Sequence, residues 1–417
     1  MIPRHLFAAL RHRDFRWLWT GTFCSSAGQW LQQATLGWVV YDLTGSGALL
    51  GAVIAMRAIP MLILAPVTGV VADRMDRRKA LALAQMPMVI ISFLMSIALA
   101  VNAVQVWHLF AFTLCAGFGV VFDRTLRSAL VFGAVPREDA ANAVALNSIA
   151  FSVTRAVGPA IAGILIALIG PAWNFGFQGL LYLSVTAAVL MTAASIGRPP
   201  PRKGEQKSAW KDMKEGVRFI ANDRVARTMV LFGLLPPVLL IPSFSAMMPV
   251  FAKTVFQTGP DGLGLLLSSV GVGGVIGGLV AASVSRYEKV GQVQAIALVG
   301  FAVSLIGFAN SPNMPVAMFF LVGAGIAEMV HASSNTTTLQ MCAPHEMRGR
   351  ISALLPVFPA FISLGSLTHG IGADLIGAPL IVTILAGIAI CVTALVWMRS
   401  GTVRNLRLSK LPGASAS

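Results

Sequence analysis

Charge is what this sequence has least of. Only 11% of its 417 residues are Asp, Glu, Lys or Arg, where a soluble domain carries roughly 25%. Hydrophobic residues make up 56%. So few charges cannot cover a water-facing surface of this size, which excludes an ordinary soluble globule and leaves lipid against much of the molecule. Cysteine is nearly absent too. Cys24, Cys115, Cys342 and Cys391 each lie inside an apolar run, far from one another. Without a CxxC pair or ligand spacing they suggest neither a disulfide framework nor a metal site, and they read as small buried apolar residues. A GxxxxGK[ST] phosphate loop is missing, so direct drive by a nucleotide is not expected. Nothing in the pattern calls for a metal, a cofactor or an enzymatic constellation. The first apolar run is too long for a signal-peptide core and lacks a small-residue cleavage site, so it reads as a retained span.

Long apolar runs are what the sequence has in abundance. They are continuous rather than alternating. A backbone in lipid must satisfy its own hydrogen bonds, which leaves helices or a closed barrel; continuous runs favour helices. About 20 apolar residues cross a bilayer, so twelve crossings need roughly 240 residues. The first six spans fall at 16–41, 48–72, 80–101, 106–133, 140–170 and 173–196. The last six fall at 226–257, 262–285, 291–310, 315–342, 350–376 and 378–398. All of the 31 Lys and Arg except Arg57, Arg124, Arg127, Arg155 and Lys253 then fall in connections on one side of the membrane. The positive-inside rule places both termini in the cytoplasm, in a bacterial inner membrane. The net charge of +15 is thereby explained by the anionic inner leaflet, and nucleic acid is not expected as a partner.

One connection is long. Residues 198–225 begin Pro-rich and basic, and then Trp210, Met213, Val217 and Ile220 recur at helical spacing among Lys and Arg, as in an amphipathic helix on the inner surface. This linker separates a first six-helix bundle, 1–197, from a second, 226–398, with a tail at 399–417. Pro136-Arg137-Glu138 after span four and Pro344-His345-Glu346 after span ten sit where a parallel duplication would put them. Spans three, six, nine and twelve hold no Asp, Glu, Lys, Arg or His. Intramembrane charges face a protein interior or a wet cavity, so the third helix of each triplet is expected to face lipid.

Between spans two and three the sequence runs Gly69-Val-Val-Ala-Asp73-Arg74-Met-Asp76-Arg77-Arg78. It resembles the GxxxDRxGRR signature of the major facilitator superfamily, with Asp76 where the signature has Gly. The resemblance implies a gate: Gly69, Asp73, Arg74, Arg77 and Arg78 would lock the cytoplasmic ends of the two halves in one state. Other segments resemble the exporter group that contains the enterobactin exporter and macrolide efflux pumps. They include Phe15-Arg16-Trp17-Leu18-Trp19, Gly28 to Gln32, Asp123 to Arg127, Asn142-Ala143 with Leu146-Asn147-Ser148, Arg155-Ala-Val-Gly158-Pro159, Glu215-Gly216, Pro249-Val250-Phe251-Ala252 and Arg348-Gly349-Arg350. The antiporter signature of span five is partial, since Ile161-Ala162 stands before Gly163 in place of Gly-Gly.

Several residues could carry chemistry. Asp123 and Arg127 are one turn apart on span four and suit an ion pair, either a structural bridge or a substrate or proton site. Glu328 lies near mid-membrane in span ten with His331 one turn on; both are candidates for proton coupling or for a static polar site. Arg57 and Arg155 are deep and could neutralise Asp123 or Glu328, or attract an acidic substrate. Gln29, Trp30, Gln32 and Gln33 cluster on span one, either as a cavity lining for a mixed polar and apolar ligand or as helix packing. Asp374 reads as a solvated acid at the cavity mouth. Gly273/Gly277 and Gly274/Gly278 give span eight two GxxxG spacings for close packing. The expected protein is all-α, a membrane protein of two pseudo-symmetric six-helix bundles. Its expected function is secondary transport by alternating access, exporting a siderophore-like or drug-like small molecule in exchange for protons. A lysolipid flippase of the same fold, or a non-transporting membrane sensor or scaffold, are the alternatives. Oligomeric state is left open.

Overall fold

The computed structural model describes residues 7–197, 209–284, 287–342 and 358–410, and among them every regular element is helical. In chain order these are α1 (Arg13–Thr44), α2 (Gly47–Ala55), α3 (Ala58–Arg74), α4 (Arg77–Ala100), α5 (Val106–Ala134), α6 (Ala140–Ile169), α7 (Pro171–Leu190) and the short α8 (Ala194–Gly197). The amphipathic α9 (Ala209–Asn222) follows. A broken helix comes next, in the pieces α10 (Arg224–Leu235), a π turn Pro236–Leu240, α11 (Pro242–Ser245), α12 (Met248–Val250) and a second π turn Phe251–Val255. Then come α13 (Pro260–Val284), α14 (Val290–Ala309), α15 (Met314–Cys342), α16 (Phe358–Ile376) and α17 (Ala378–Arg399). The paired segments Pro344-His345-Glu346 and Arg348-Gly349-Arg350, and the basic start of the linker, lie outside the described residues.

Nine helical stretches among the described residues, with Gly47–Leu64 and Arg224–Val255 each taken across their breaks, are long and apolar enough to cross a bilayer, and Ala360–Ile376 is apolar but shorter. Two further long helices, α1 and α7, miss that apolarity because they carry buried amides and hydroxyls, Ser25, Gln32 and Thr35 on one and Asn174 and Gln178 on the other. Local chemistry sets the boundaries. Asp76 accepts the Arg78 and Lys79 amides at 3.0 and 3.2 Å and so caps α4. The Gly expected here is therefore dispensable: Asp76 sits in ordinary extended geometry and serves as an N-cap. Asp223 caps α10 through the Ala226 amide at 2.6 Å. Gly170 (φ +84) before α7 and Gly377 (φ +89) before α17 make the same left-handed turn at matching places in the two halves.

The chain forms two compact units, one of Met1–Thr44, Ile59–Glu205 and Gly259–Gly264, the other of Gly45–Ala58, Gln206–Thr258 and Leu265–Ser417. The first unit buries Phe15, Leu18, Leu81, Leu126, Leu146 and Val185, drawn from α1 and α4–α7. The end of this unit that carries the chain's amino-terminal residues is tied by long-range bonds. The Trp19 indole donates to the Leu146 carbonyl (3.0 Å), the Ala9 amide to Asn142 Oδ1 (3.0 Å), and His12 pairs with Asp139 (2.8 Å). In the second unit, Phe251 packs on Phe308 at 4.5 Å and Phe244 on Phe301 at 6.1 Å. Of the two GxxxG spacings in α13, Gly273 and Gly277 meet the α15 backbone, whereas Gly278 faces open space. The helices of spans three and nine each carry an exposed apolar stripe and a buried amide. On α4, Leu83, Ile90, Leu94 and Ile97 are exposed, yet Gln85 is buried; on α14, Ile296 and Val303 are exposed and Gln294 is buried. An apolar outer stripe with an amide on the inner face satisfies the lipid and the helix neighbours at once.

Candidate functional site

A buried charged site lies where α1, α4 and α5 meet in the first unit. Asp123 and Arg127 are 5% and 6% exposed. Arg127 Nη2 and Nε donate to the Asp123 carboxylate at 2.5 and 3.3 Å. Gln85 Nε2 donates to Oδ1 at 2.6 Å, Ser25 Oγ to Oδ2 at 3.1 Å, and Gln29 Nε2 to Ser25 Oγ at 3.3 Å. Four donors fill the acceptor capacity of a carboxylate. Arg127 is thus a neutralising partner of Asp123, and the arrangement has the form of a structural anchor. Arg127 Nη1 and Gln85 Oε1 remain buried without a partner in the same cluster. Arg155 on α6 and Arg57, at the break between α2 and α3, are both half-buried.

The residues expected to line a cavity on α1 divide. Gln32 is buried at the α7 interface, where it accepts from Gln178 Nε2 at 2.9 Å and Tyr182 Oη at 3.4 Å. One turn on, Asn174 Nδ2 donates to Thr35 Oγ1 and to the Ala162 carbonyl, both at 3.0 Å. Asn174, Gln178 and Tyr182 recur every four residues along one face of α7, a polar stripe that marks this face in the sequence without naming the helix it meets. Gln32 therefore packs helices rather than lining a cavity. The Trp30 and Phe151 rings lie tilted against each other with centroids 5.8 Å apart, and a Cβ at Gly158 would stand 2.9 Å from the Trp30 Cβ, so Gly158 makes room for this side chain. Gln29 and Gln33 are half-buried.

In the second unit, His331 is 3% exposed and joins three helices. Its Nε2 lies 3.2 Å from the Phe232 carbonyl and its Nδ1 3.4 Å from the Gln294 carbonyl. The reason for the first contact is local. In a helix Phe232 O would accept from residue 236, or in a π turn from residue 237, and both are proline. The imidazole N–H takes the place of the missing amide donor. Both ring nitrogens face acceptors, so the neutral ring satisfies one carbonyl and the protonated ring both. Gln294 Nε2 in turn donates to Thr338 Oγ1 at 2.9 Å. Glu328, one turn before His331 on α15, is half-buried. His369, fully buried on α16, donates from Nδ1 to the Gly365 carbonyl at 2.9 Å and accepts from Ser243 Oγ at 3.1 Å.

Of the residues expected to form a gate, Arg74 is exposed at the end of α3, and Arg78 donates to the Thr192 carbonyl past the end of α7 at 2.7 Å. Arg77, the first residue of α4, is half-buried. Gly69 and Asp73 lie on α3. Asp374 is exposed, and it binds Ser46 and the first amides of α2. An apolar cavity of about 430 Å³, walled by Val71, Met75, Leu83, Pro87, Phe118 and Phe122, holds none of the residues above.

The sequence matches the family described as transmembrane secretion effector over residues 5–409. It is similar to the staphyloferrin A transporter of Staphylococcus aureus, 23% identical over 385 residues that cover 91% of this chain and 94% of the relative. The multidrug efflux pump Tap of Mycolicibacterium fortuitum is 26% identical over 351 residues, covering 79% and 82%. The enterobactin exporter EntS of Shigella boydii serotype 4 is 25% identical over 348 residues, covering 82% and 81%. The fold is similar to crystal structures of the nucleoside transporter NupG (TM-score 0.79, 15% identity, 92% of this chain and 99% of that one) and of a bacterial homologue of the human lysosomal transporter Spinster (0.73, 14%, 97% and 98%).

Proposed function

Since the chain belongs to the transmembrane secretion effector family of the major facilitator superfamily, we propose that it exports a siderophore-like or drug-like small molecule in exchange for protons. It works by alternating access in a bacterial inner membrane, through twelve crossings with both termini cytoplasmic. The observation that carries this reading is the family match along nearly the whole chain, together with relatives named for siderophore transport, siderophore export and drug efflux. Roles divide by geometry. The saturated Asp123–Arg127 cluster is a scaffold. Glu328 and His331 are the candidates for carrying a proton, because ionisable groups in a membrane interior are costly unless used. Gln29, Trp30 and Gln33 are candidate ligand contacts, and the Gly69–Arg78 segment is the candidate inner gate.

Efflux from a deletion strain tests the export reading, with the culture medium compared by mass spectrometry against a complemented strain. A small molecule lost from the medium and restored by complementation is expected; identical media would count against export. A lysolipid flippase is the second reading, favoured by one observation. The 430 Å³ apolar cavity has Met75, Leu83 and Phe118 on its walls, all exposed at the surface. Translocation of fluorescent lysophosphatidylethanolamine in proteoliposomes separates the two.

A further inference from the structure

The start of α2 is held by more polar contacts than a helix end ordinarily needs. Asp374, on the last turn of α16, accepts the Gly47 amide on Oδ1 at 2.6 Å. Its Oδ2 accepts the Ser46 hydroxyl at 2.6 Å and the Ala48 amide at 3.0 Å. Ser46 Oγ then accepts the Leu49 amide at 3.2 Å, so the first-turn donors are shared between a cap of the helix's own and a carboxylate from another helix. Below this clasp the two backbones touch. A Cβ at Gly47 would stand 3.0 Å from the Gly370 carbonyl, one at Gly51 would overlap the Ser366 carbonyl, and one at Gly370 the Gly47 carbonyl. Leu50 and Val53 are fully buried.

The chain on either side of α2 is jointed. Gly45 takes φ +62, a left-handed turn that ends α1, and the helix is interrupted again at Met56–Arg57 before α3 begins. Residues 45–58 pack as part of the second unit, while the neighbouring residues up to Thr44 and from Ile59 pack as part of the first. A nine-residue helix with a joint at each end is thus attached by its side to α16 and by its ends to helices of another unit. Asp374 is itself exposed, so water can replace the contacts it makes and their loss costs little desolvation.

We propose that Asp374 is a latch: it docks α2 on α16 in the state described here and releases it when the outer ends of the helices part, α2 pivoting at Gly45 and Met56–Arg57. Asp374 is then a positioning residue for the transport cycle. The idea rests on the alternating-access reading above. Glycine contacts alone would let the helices part easily; the carboxylate on the helix amino end adds a directional, breakable bond that sets how often they do.

Spin-label distances test this without a known substrate. The four cysteines are replaced, and nitroxides are attached at Leu49→Cys and Leu375→Cys, both exposed positions. The full chain is studied in nanodiscs of phosphatidylethanolamine and phosphatidylglycerol, at acidic and neutral pH. The expected wild type shows a major short distance and a minor long one. Asp374→Ala should raise the long-to-short ratio about tenfold, the size expected of losing a charged helix cap. Ser46→Ala, which removes the hydroxyl's bond to Asp374 and its cap on the Leu49 amide but leaves both amide bonds to Asp374, should move it the same way by less. If both variants raise hydrogen exchange at the Gly47 and Ala48 amides but leave the distances unchanged, Asp374 is a cap and the latch is wrong. Two wild-type populations insensitive to Asp374→Ala also overturn the latch while leaving alternating access standing. A single wild-type distance under every condition overturns the latch and counts against alternating access as well.

Discussion

At the scale of single residues, the decisive feature of the Asp123 site is saturation. A carboxylate that already accepts from Arg127, Ser25 and Gln85 has no lone pair left for a ligand. Removing it strands a buried guanidinium, which costs about 3–5 kcal/mol. Asp123→Ala is therefore expected to lower the thermal unfolding temperature in detergent sharply, and Asp123→Ala with Arg127→Met to recover much of the loss; equal losses in both would argue against the anchor. Glu328 is the contrasting case. Glu328→Gln keeps shape and hydrogen bonding but removes the ionisable proton, so pH-driven efflux into vesicles should fail while substrate counterflow persists. Undiminished concentration of substrate under a pH gradient would pass the coupling role to another residue. The pairing of Asp123 with Arg127 was legible from their four-residue spacing. The parts played by Ser25 and Gln85 were not, because their partner comes from another helix and a lone Ser or Gln in an apolar run has no sequence signature.

At the scale of elements, prolines decide more than apolarity does. Pro236 and Pro237 take both possible donors away from the Phe232 carbonyl, and His331 answers from α15. His331→Ala should cost about 1–3 kcal/mol by leaving that carbonyl buried and unpaired. In a Pro236→Ala background the amide returns, so the same substitution should cost distinctly less. A double-mutant cycle of unfolding temperatures measures this, and strict additivity would show that His331 does not serve that carbonyl. The cap on α4 gives a smaller test. Asp76→Ala should cost about 1 kcal/mol and Asp76→Gly only a few tenths, since Gly is itself a tolerated N-cap; a larger loss with Gly than with Ala, read as melting temperature, would contradict the capping role. The helices themselves could be read from the run of apolar residues, but α2 and α3 were expected as one span at 48–72. The signal for the break lies just beyond it: Pro60 has no N–H for the Met56 carbonyl one turn back, so the helix is interrupted at Met56–Arg57.

At the scale of the whole molecule, the charge distribution predicts orientation. Reporter fusions after Lys203 and at Ser417 should be active only as cytoplasmic reporters, and alkaline phosphatase activity at either would contradict the map. By itself the sequence determined the fold class, the membrane environment and the family resemblance, since these depend on composition, run length and short motifs, which are properties of neighbours along the chain. It also supplied the polar residues that matter. What only the tertiary structure decided is which of them meet. Gln32 faces Gln178, Asp374 holds the start of α2, and His331 serves a proline-orphaned carbonyl 99 residues away. The physical reason is common to all three. Inside a membrane protein a polar group must find a partner, and the partner is fixed by helix packing across tens or hundreds of residues, on which local pattern carries no information.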